Sequence, residues 1–255
     1  MSAVRMKLIT VPALVVLGVS AACFGEDDKI VGGYECVPHS VPYQVYIRRF
    51  RKPWCGASLL NSDWILSAAH CYLRPRLLNV WVGAHDLSME ESSRQFSTVV
   101  QAIRHPGYSH RTTDNDIMLL KISPPAKLND KVQPVRLPSS CAGNGSQCLV
   151  SGWGNTVLEG EQYPHRLQCL EVPILPDPEC RGSYGDTVTP NMFCAGFLEG
   201  GKEACQVDSG GPLVCDGVQQ GIVSWGLGCG NPGWTTIYTK LCNYVSWINE
   251  TIASN

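Results

Sequence analysis

Thirteen cysteines in 255 residues constrain this chain more than any other feature of its sequence. That many thiols belong in an oxidising compartment, where they pair into bridges that tie remote parts of a chain together. Cys23 lies near the start; setting it aside leaves twelve, an even number. No Cys-x-x-Cys spacing occurs, so a cysteine-held zinc is not expected. Spacing alone does not give the connectivity.

The first residues agree with that compartment. Arg5 and Lys7 precede an apolar run over 8–22 that ends in small residues, the make-up of a secretory signal. The run is short and interrupted by Pro12, which argues against a membrane span. Cleavage after Ala21, Ala22 or Gly25 fits, so residues 1–25 are expected to be removed and the mature chain to be soluble, secreted and extracellular. With 44% hydrophobic and 16% charged residues the composition is globular. A formal charge of -2 gives no reason to expect nucleic acid or an acidic membrane as partner.

From Ile30 onward, short apolar or alternating runs are separated by turn residues at nearly regular spacing, which predicts an all-β sandwich or barrel. The expected strands are 42–47, 57–60, 64–67, 79–83, 96–104, 117–122, 147–152, 168–173 and 235–240. A hairpin is clearest where Pro212 to Cys215 and Val218 to Trp225 flank Asp216-Gly217, a pair suited to positive φ. Helix is scarce, the best candidate being Tyr244 to Ile252, with apolar residues at helical spacing.

One stretch carries chemistry. In Cys205-Gln206-Val207-Asp208-Ser209-Gly210-Gly211-Pro212 a serine sits between an acid and two glycines, in a tight turn with little bulk around its hydroxyl. Serine needs a base to take its proton and a group to orient that base. His70, in Leu66-Ser67-Ala68-Ala69-His70-Cys71, and Asp116, in Asp114-Asn115-Asp116-Ile117-Met118, supply both. Asp114 lies two residues away and shares a strand face; Asp116 is preferred because it abuts the apolar run. His39, His85, His105, His110 and His165 have no comparable context and are expected to be structural. A lipase-type hydrolase is excluded, since it needs a Gly-x-Ser-x-Gly elbow and the order Ser, Asp, His.

The order His, Asp, Ser and the words around each residue resemble the trypsin and chymotrypsin family of serine proteases, over essentially all of Ile30 to Asn255. The resemblance implies two packed six-stranded antiparallel β-barrels with a short C-terminal α-helix and the active site between them. It implies His70, Asp116 and Ser209 as the catalytic triad of a serine endopeptidase, with the backbone N–H groups of Ser209 and Val207 as oxyanion hole. It also implies pairs Cys36 with Cys169, Cys55 with Cys71, Cys141 with Cys242, Cys148 with Cys215, Cys180 with Cys194 and Cys205 with Cys229. Glu26-Asp27-Asp28-Lys29 before Ile30-Val31-Gly32-Gly33 looks like an activation peptide. Cutting after Lys29 frees the Ile30 ammonium to pair with Asp208, so a zymogen is expected: 26–29 activation peptide, 30–255 protease domain.

Three positions depart from the family pattern. Val207 replaces a glycine, which keeps the N–H but adds bulk on the leaving-group side and is expected to disfavour rigid protein inhibitors. Glu203 stands at the pocket base where trypsin-like members carry aspartate, beside Ala204. Ser224, Trp225 and Gly226 match one pocket wall; in the other, Thr236 stands by loop length where trypsin-like members carry glycine, which narrows the pocket, while an alignment through Pro232-Gly233 leaves that wall unassigned. The expected cleavage is after Arg or Lys, with a catalytically impaired pseudoprotease acting as a binding protein as the alternative. Protein and peptide substrates and an activating protease are the expected partners of a monomer. No cofactor or metal is expected: the loop 83–94 has Ala84 and Arg94 where calcium-binding relatives carry glutamates, keeping Asp86 and Glu91. The basic run Arg48-Arg49-Phe50-Arg51-Lys52 is expected on a loop beside the leaving-group side. Asn144-Gly145-Ser146 and Asn249-Glu250-Thr251 match the N-glycosylation acceptor.

Overall fold

A computed structural model describes residues 32–155, 162–201, 204, 208–228 and 230–255. Lys29, Ile30, Glu203, Val207, Cys205 and Cys229 lie outside the described residues, as do the expected signal and activation segments at 1–25 and 26–29.

The two-residue strand β1 (Tyr34–Glu35) comes first, followed by six strands that close on themselves: β2 (Gln44–Arg49), β3 (Lys52–Leu59), β4 (Trp64–Ser67), β5 (Leu78–Val82), β6 (Gln95–Arg104) and β7 (Met118–Ser123), in the order β2-β3-β4-β7-β6-β5. β5 shows why: Leu78, Val80 and Val82 are buried while Asn79 and Trp81 alternate with them outward, the two-residue period of a strand with one wet face.

The second half holds β8 (Gln147–Gly152), β9 (Gln168–Pro173), β10 (Met192–Ala195), β11 (Pro212–Cys215), β12 (Val218–Trp225) and β13 (Thr236–Lys240). With β1 added at one edge, its sheet runs β1-β9-β8-β11-β12-β13-β10. Backbone bonds from Leu175 N to Cys194 O (2.9 Å) and from Gly196 N to Pro173 O (3.1 Å) carry the end of β9 back onto β10, closing a second six-stranded antiparallel barrel. The β11–β12 turn holds Asp216 at φ +50° and Gly217 at φ +73°, and Arg136 clasps both their carbonyls.

The helix α1 (Asp177–Tyr184) was not expected from the sequence, since its residues carry no apolar stripe; proline near its first turn, Gly185 at its end and the Cys180–Cys194 bridge hold it. The C-terminal α2 (Val245–Ser254) follows Tyr244, and Tyr244, Ile248 and Ile252 on one face join the first barrel's core. The basic run is a hairpin tip rather than a free loop, because β2 and β3 extend into it and turn at Phe50 and Arg51.

The halves are joined by buried polar bonds. Ser58 Oγ donates to Gln219 Oε1 and Ser151 Oγ to Gln44 Oε1, each at 2.7 Å. Bridges form at Cys36–Cys169, Cys55–Cys71, Cys141–Cys242, Cys148–Cys215 and Cys180–Cys194. Each closed loop typically stabilises a fold by about 2–4 kcal/mol. Among the described residues no helix is long and apolar enough to cross a membrane.

Candidate active site

His70 sits in a single 3-10 turn, Ala69–Cys71, directly after β4. Ala68 and Ala69 are completely buried, so only side chains this small let the turn press against the barrel and leave the imidazole at its rim. Asp116 stands two residues before β7, its carboxylate fully out of solvent. Three donors replace the lost water. His70 Nδ1 lies 2.7 Å from Oδ2, the His70 backbone N–H donates to Oδ1 at 2.8 Å, and Ser224 Oγ donates to Oδ2 at 2.6 Å. A carboxylate only accepts, so the hydrogen of the neutral imidazole is on Nδ1 and Nε2 presents a lone pair. The nitrogen that is free to take a proton is therefore Nε2.

Asp114 is used differently. Its Oδ1 accepts from Thr189 Oγ1 (2.6 Å) and Asn191 Nδ2 (3.1 Å), so it ties the two halves together while Asp116 faces the imidazole.

Ser209 is delivered by the chain just before β11. Its carbonyl accepts from Gly56 N at 2.8 Å, and the Cys71 sulfur lies 3.7 Å from that carbonyl and 3.6 Å from His70 Nε2. The serine turn and the imidazole thus meet on one disulfide sulfur. The approach depends on Gly210, at φ +83°, where a Cβ would sit 2.6 Å from Gly56 O and overlap Ser67 Oγ. Among the described residues the Ser209 hydroxyl has no hydrogen-bond partner. Asp208 is wholly buried, its Oδ1 accepting from Gly154 N at 2.8 Å, and a Cβ on Gly152 would overlap that carboxylate.

The residues expected to line the specificity pocket gather on the second barrel. Ser224 and Trp225 end β12, with Gly226 exposed beyond them. Thr236 opens β13, and its Oγ1 lies 3.4 Å from the Ala204 carbonyl, so the threonine spans between two walls. Sequence reasoning missed the buttress behind them. Tyr184 packs edge-on against Trp225 and Trp234, both at 5.1 Å, and its hydroxyl donates to Thr235 O. No motif marks Tyr184; its position at the end of α1 becomes meaningful only when the barrel closes.

A second ionic cluster lies at the other end of the 83–94 loop. Glu35 Oε1 is 3.0 Å from His85 Nε2 and its Oε2 is 3.2 Å from Arg166, which also reaches Asp86. The hydrogen bond from His85, more than the Arg166 charge, holds the Glu35 carboxyl below the usual carboxylate range. Hydrogen bonding from Ser88 does the same for Asp86. Glu91 Oε2 accepts from the backbone of His85 (2.7 Å) and Asp86 (3.2 Å), while the Arg94 guanidinium lies over Trp81 at 4.4 Å.

Two six-stranded barrels, with an imidazole–carboxylate pair from the first facing a serine turn from the second, make the chymotrypsin-like two-barrel fold. The Trypsin family model matches residues 30–248, and the chain belongs to that family. It is similar to the cationic trypsin-3 of Rattus norvegicus, 50% identical over 98% of this chain and all of that protein. The trypsin of Xenopus laevis is 51% identical over the same shares, and that of Sus scrofa 53% identical over 90% of this chain and 98% of its own length. The protein is a serine endopeptidase.

Proposed function

We propose that the chain is a secreted, trypsin-like endopeptidase made as a zymogen, cutting after Arg and Lys with a Ser209–His70–Asp116 triad. The observation that carries this reading is the buried Asp116 carboxylate that grips His70 by both its ring and its backbone N–H. Ser209 Oγ attacks the peptide carbonyl as His70 Nε2 takes its proton; the imidazolium then gives that proton to the leaving amine. A water repeats the sequence on the acyl-enzyme. Asp116 holds the tautomer and balances the charge, and the N–H groups of Ser209 and Val207 receive the oxyanion.

The serine turn takes its active shape once cleavage after Lys29 lets the Ile30 ammonium reach Asp208. A fully buried carboxylate is costly without such a counter-charge, which makes the pair a switch. Glu203 supplies the negative pocket base, and Thr236 beside Ala204 narrows the pocket, so large basic side chains enter more slowly than in an ordinary trypsin. Ser224, Trp225 and Gly226 bind substrate backbone as an added strand. The hairpin tip carrying Arg48, Arg49, Arg51 and Lys52 favours acidic residues after the cut, and Val207 weakens binding of rigid inhibitors. Calcium finds poor purchase in the 83–94 loop, where Glu91 and Asp86 already serve backbone and Arg166.

The test is turnover of peptides varied before the cut, by protein cleaved after Lys29, with Ser209→Ala as control. Turnover concentrated after Arg and Lys, and reduced by Glu203→Gln far more there than after Ala or Leu, is the expected result. No Ser209-dependent turnover from protein whose N-terminus is Ile30 would replace this reading with a binding pseudoprotease.

A further inference from the structure

The formal charge of -2 conceals a segregation. Between residues 44 and 82, which span β2 to β5, six cations stand against the single carboxylate of Asp63, a formal +5. Strand register gathers them. β2 pairs with β3 on one side, Arg49 opposite Lys52, and with β5 on the other, Arg49 opposite Leu78, which follows Arg76 by two residues. Arg48, Arg49, Arg51, Lys52, Arg74 and Arg76 therefore crowd one end of the first barrel, across three strands that span about 10 Å. Asp63 lies in the β3–β4 turn, and β3 carries it about 23 Å away from Lys52.

These cations are held in place and left unneutralised. Arg48 Nη2 donates to the Arg51 carbonyl at 2.7 Å, fastening the hairpin tip where Phe50 and Arg51 have φ +46° and +72°. The Arg49 guanidinium lies 5.4 Å from the Trp54 ring centroid and 5.7 Å from that of Phe50. Those of Arg48 and Arg94 lie 4.1 and 4.4 Å from the Trp81 centroid. Contact with a ring face orients a guanidinium and leaves its charge intact. Among the described residues none of these seven basic side chains forms an ion pair. Like charges this close repel, so the arrangement costs stability until an anion arrives.

We propose that this end of the first barrel is a docking surface for a linear sulfated polysaccharide. Guanidinium forks pair with oxyanions through two parallel hydrogen bonds. A chain bearing anionic groups on successive sugars meets cations on β3, on β2 and before β5 at once, whereas one acidic residue after a cut site meets one or two. Single-stranded nucleic acid binds basic grooves by stacking its bases on aromatic faces. Here Phe50, Trp54 and Trp81 already carry guanidiniums. The choice of a sulfated glycan, the polyanion of extracellular matrices, rests on the secreted reading above; the surface itself does not.

Binding is measured on the full chain carrying Ser209→Ala, which removes proteolysis and leaves the surface intact, so that the result is independent of cleavage specificity. Calorimetric titration with a heparin oligosaccharide should give saturable binding whose Kd rises on the order of tenfold between about 50 and 200 mM sodium chloride. Arg49→Gln, Arg51→Gln and Lys52→Gln combined should weaken binding by about tenfold or more and flatten that salt dependence, and Arg76→Gln alone should weaken it about threefold. Arg181→Gln removes the same charge from an exposed position on α1 and should change Kd by less than about twofold. Near-ultraviolet circular dichroism matching the parent establishes that each variant is folded. Unchanged binding in the triple variant, a loss from Arg181→Gln equal to that from Arg76→Gln, no binding at about 50 mM salt, or tighter binding of oligodeoxythymidine or oligoglutamate of equal charge would each overturn the proposal.

Discussion

Among the described residues, two imidazole–carboxylate pairs use opposite ring nitrogens. His70 gives Nδ1 to Asp116, and Nε2 remains at the rim of the cleft beside a serine turn. His85 gives Nε2 to Glu35, and Nδ1 remains buried against a second imidazole. The pair chemistry is the same; what differs is exposure and what faces the free nitrogen. His70's side chain is 30% exposed against 6% for His85, so one ring is open to the cleft and to water while the other is enclosed.

The largest effect should come from Asp116→Asn. It removes the acceptor that selects the tautomer, and the expected loss is that characteristic of Ser-His-Asp triads, about 10⁴-fold in kcat. Glu35→Gln, the matching change at the other pair, should leave kcat within about twofold; a large loss from it would break the distinction between the pairs.

Ser224→Ala sharpens the comparison next. Asp116 Oδ2 loses a 2.6 Å bond from a buried hydroxyl. A hydrogen bond to a charged group contributes about 1.5 kcal/mol, so kcat should fall roughly tenfold. The pH profile of kcat should shift as well, which a merely structural role for Ser224 would not produce.

Asp114→Ala should do the reverse. Stability falls by about 1–3 kcal/mol as Thr189 and Asn191 lose their acceptor, while kcat stays within about twofold. Urea unfolding and steady-state kinetics on the same preparation separate the two.

The smallest effect concerns acid. Glu35 and Asp86 have folded pKa values below their unfolded ones, so their stabilisation is complete above the unfolded values near about 4 and is lost as pH falls through the folded values. The urea midpoint of the parent should therefore drop between pH 5 and pH 3 more than that of Glu35→Gln. Parallel curves would show that this cluster is not a source of acid sensitivity.

Much of the fold is legible in the chain. β4, β8, β9 and the β11–β12 hairpin have the bounds their apolar runs and turn residues predict. β10 is not among the expected strands, although Met192, Phe193, Cys194 and Ala195 are as fully buried as the four residues of β4. Nor is β1, whose two residues count as a strand only through their pairing with β9. At the candidate site the motifs single out His70, Asp116 and Ser209. The Ser224 bond to Asp116 and the Tyr184 buttress span separations that no local pattern reports.

By itself, then, the sequence determined the cysteine inventory, the two-residue alternation that makes strands, and the three motifs that name a nucleophile, a base and an acid. All of these are local, and local chemistry survives in a linear string. Tertiary structure alone decided which nitrogen of each histidine is free. That choice depends on where a carboxylate 46 or 50 residues away is placed, and only barrel closure brings it within hydrogen-bond distance.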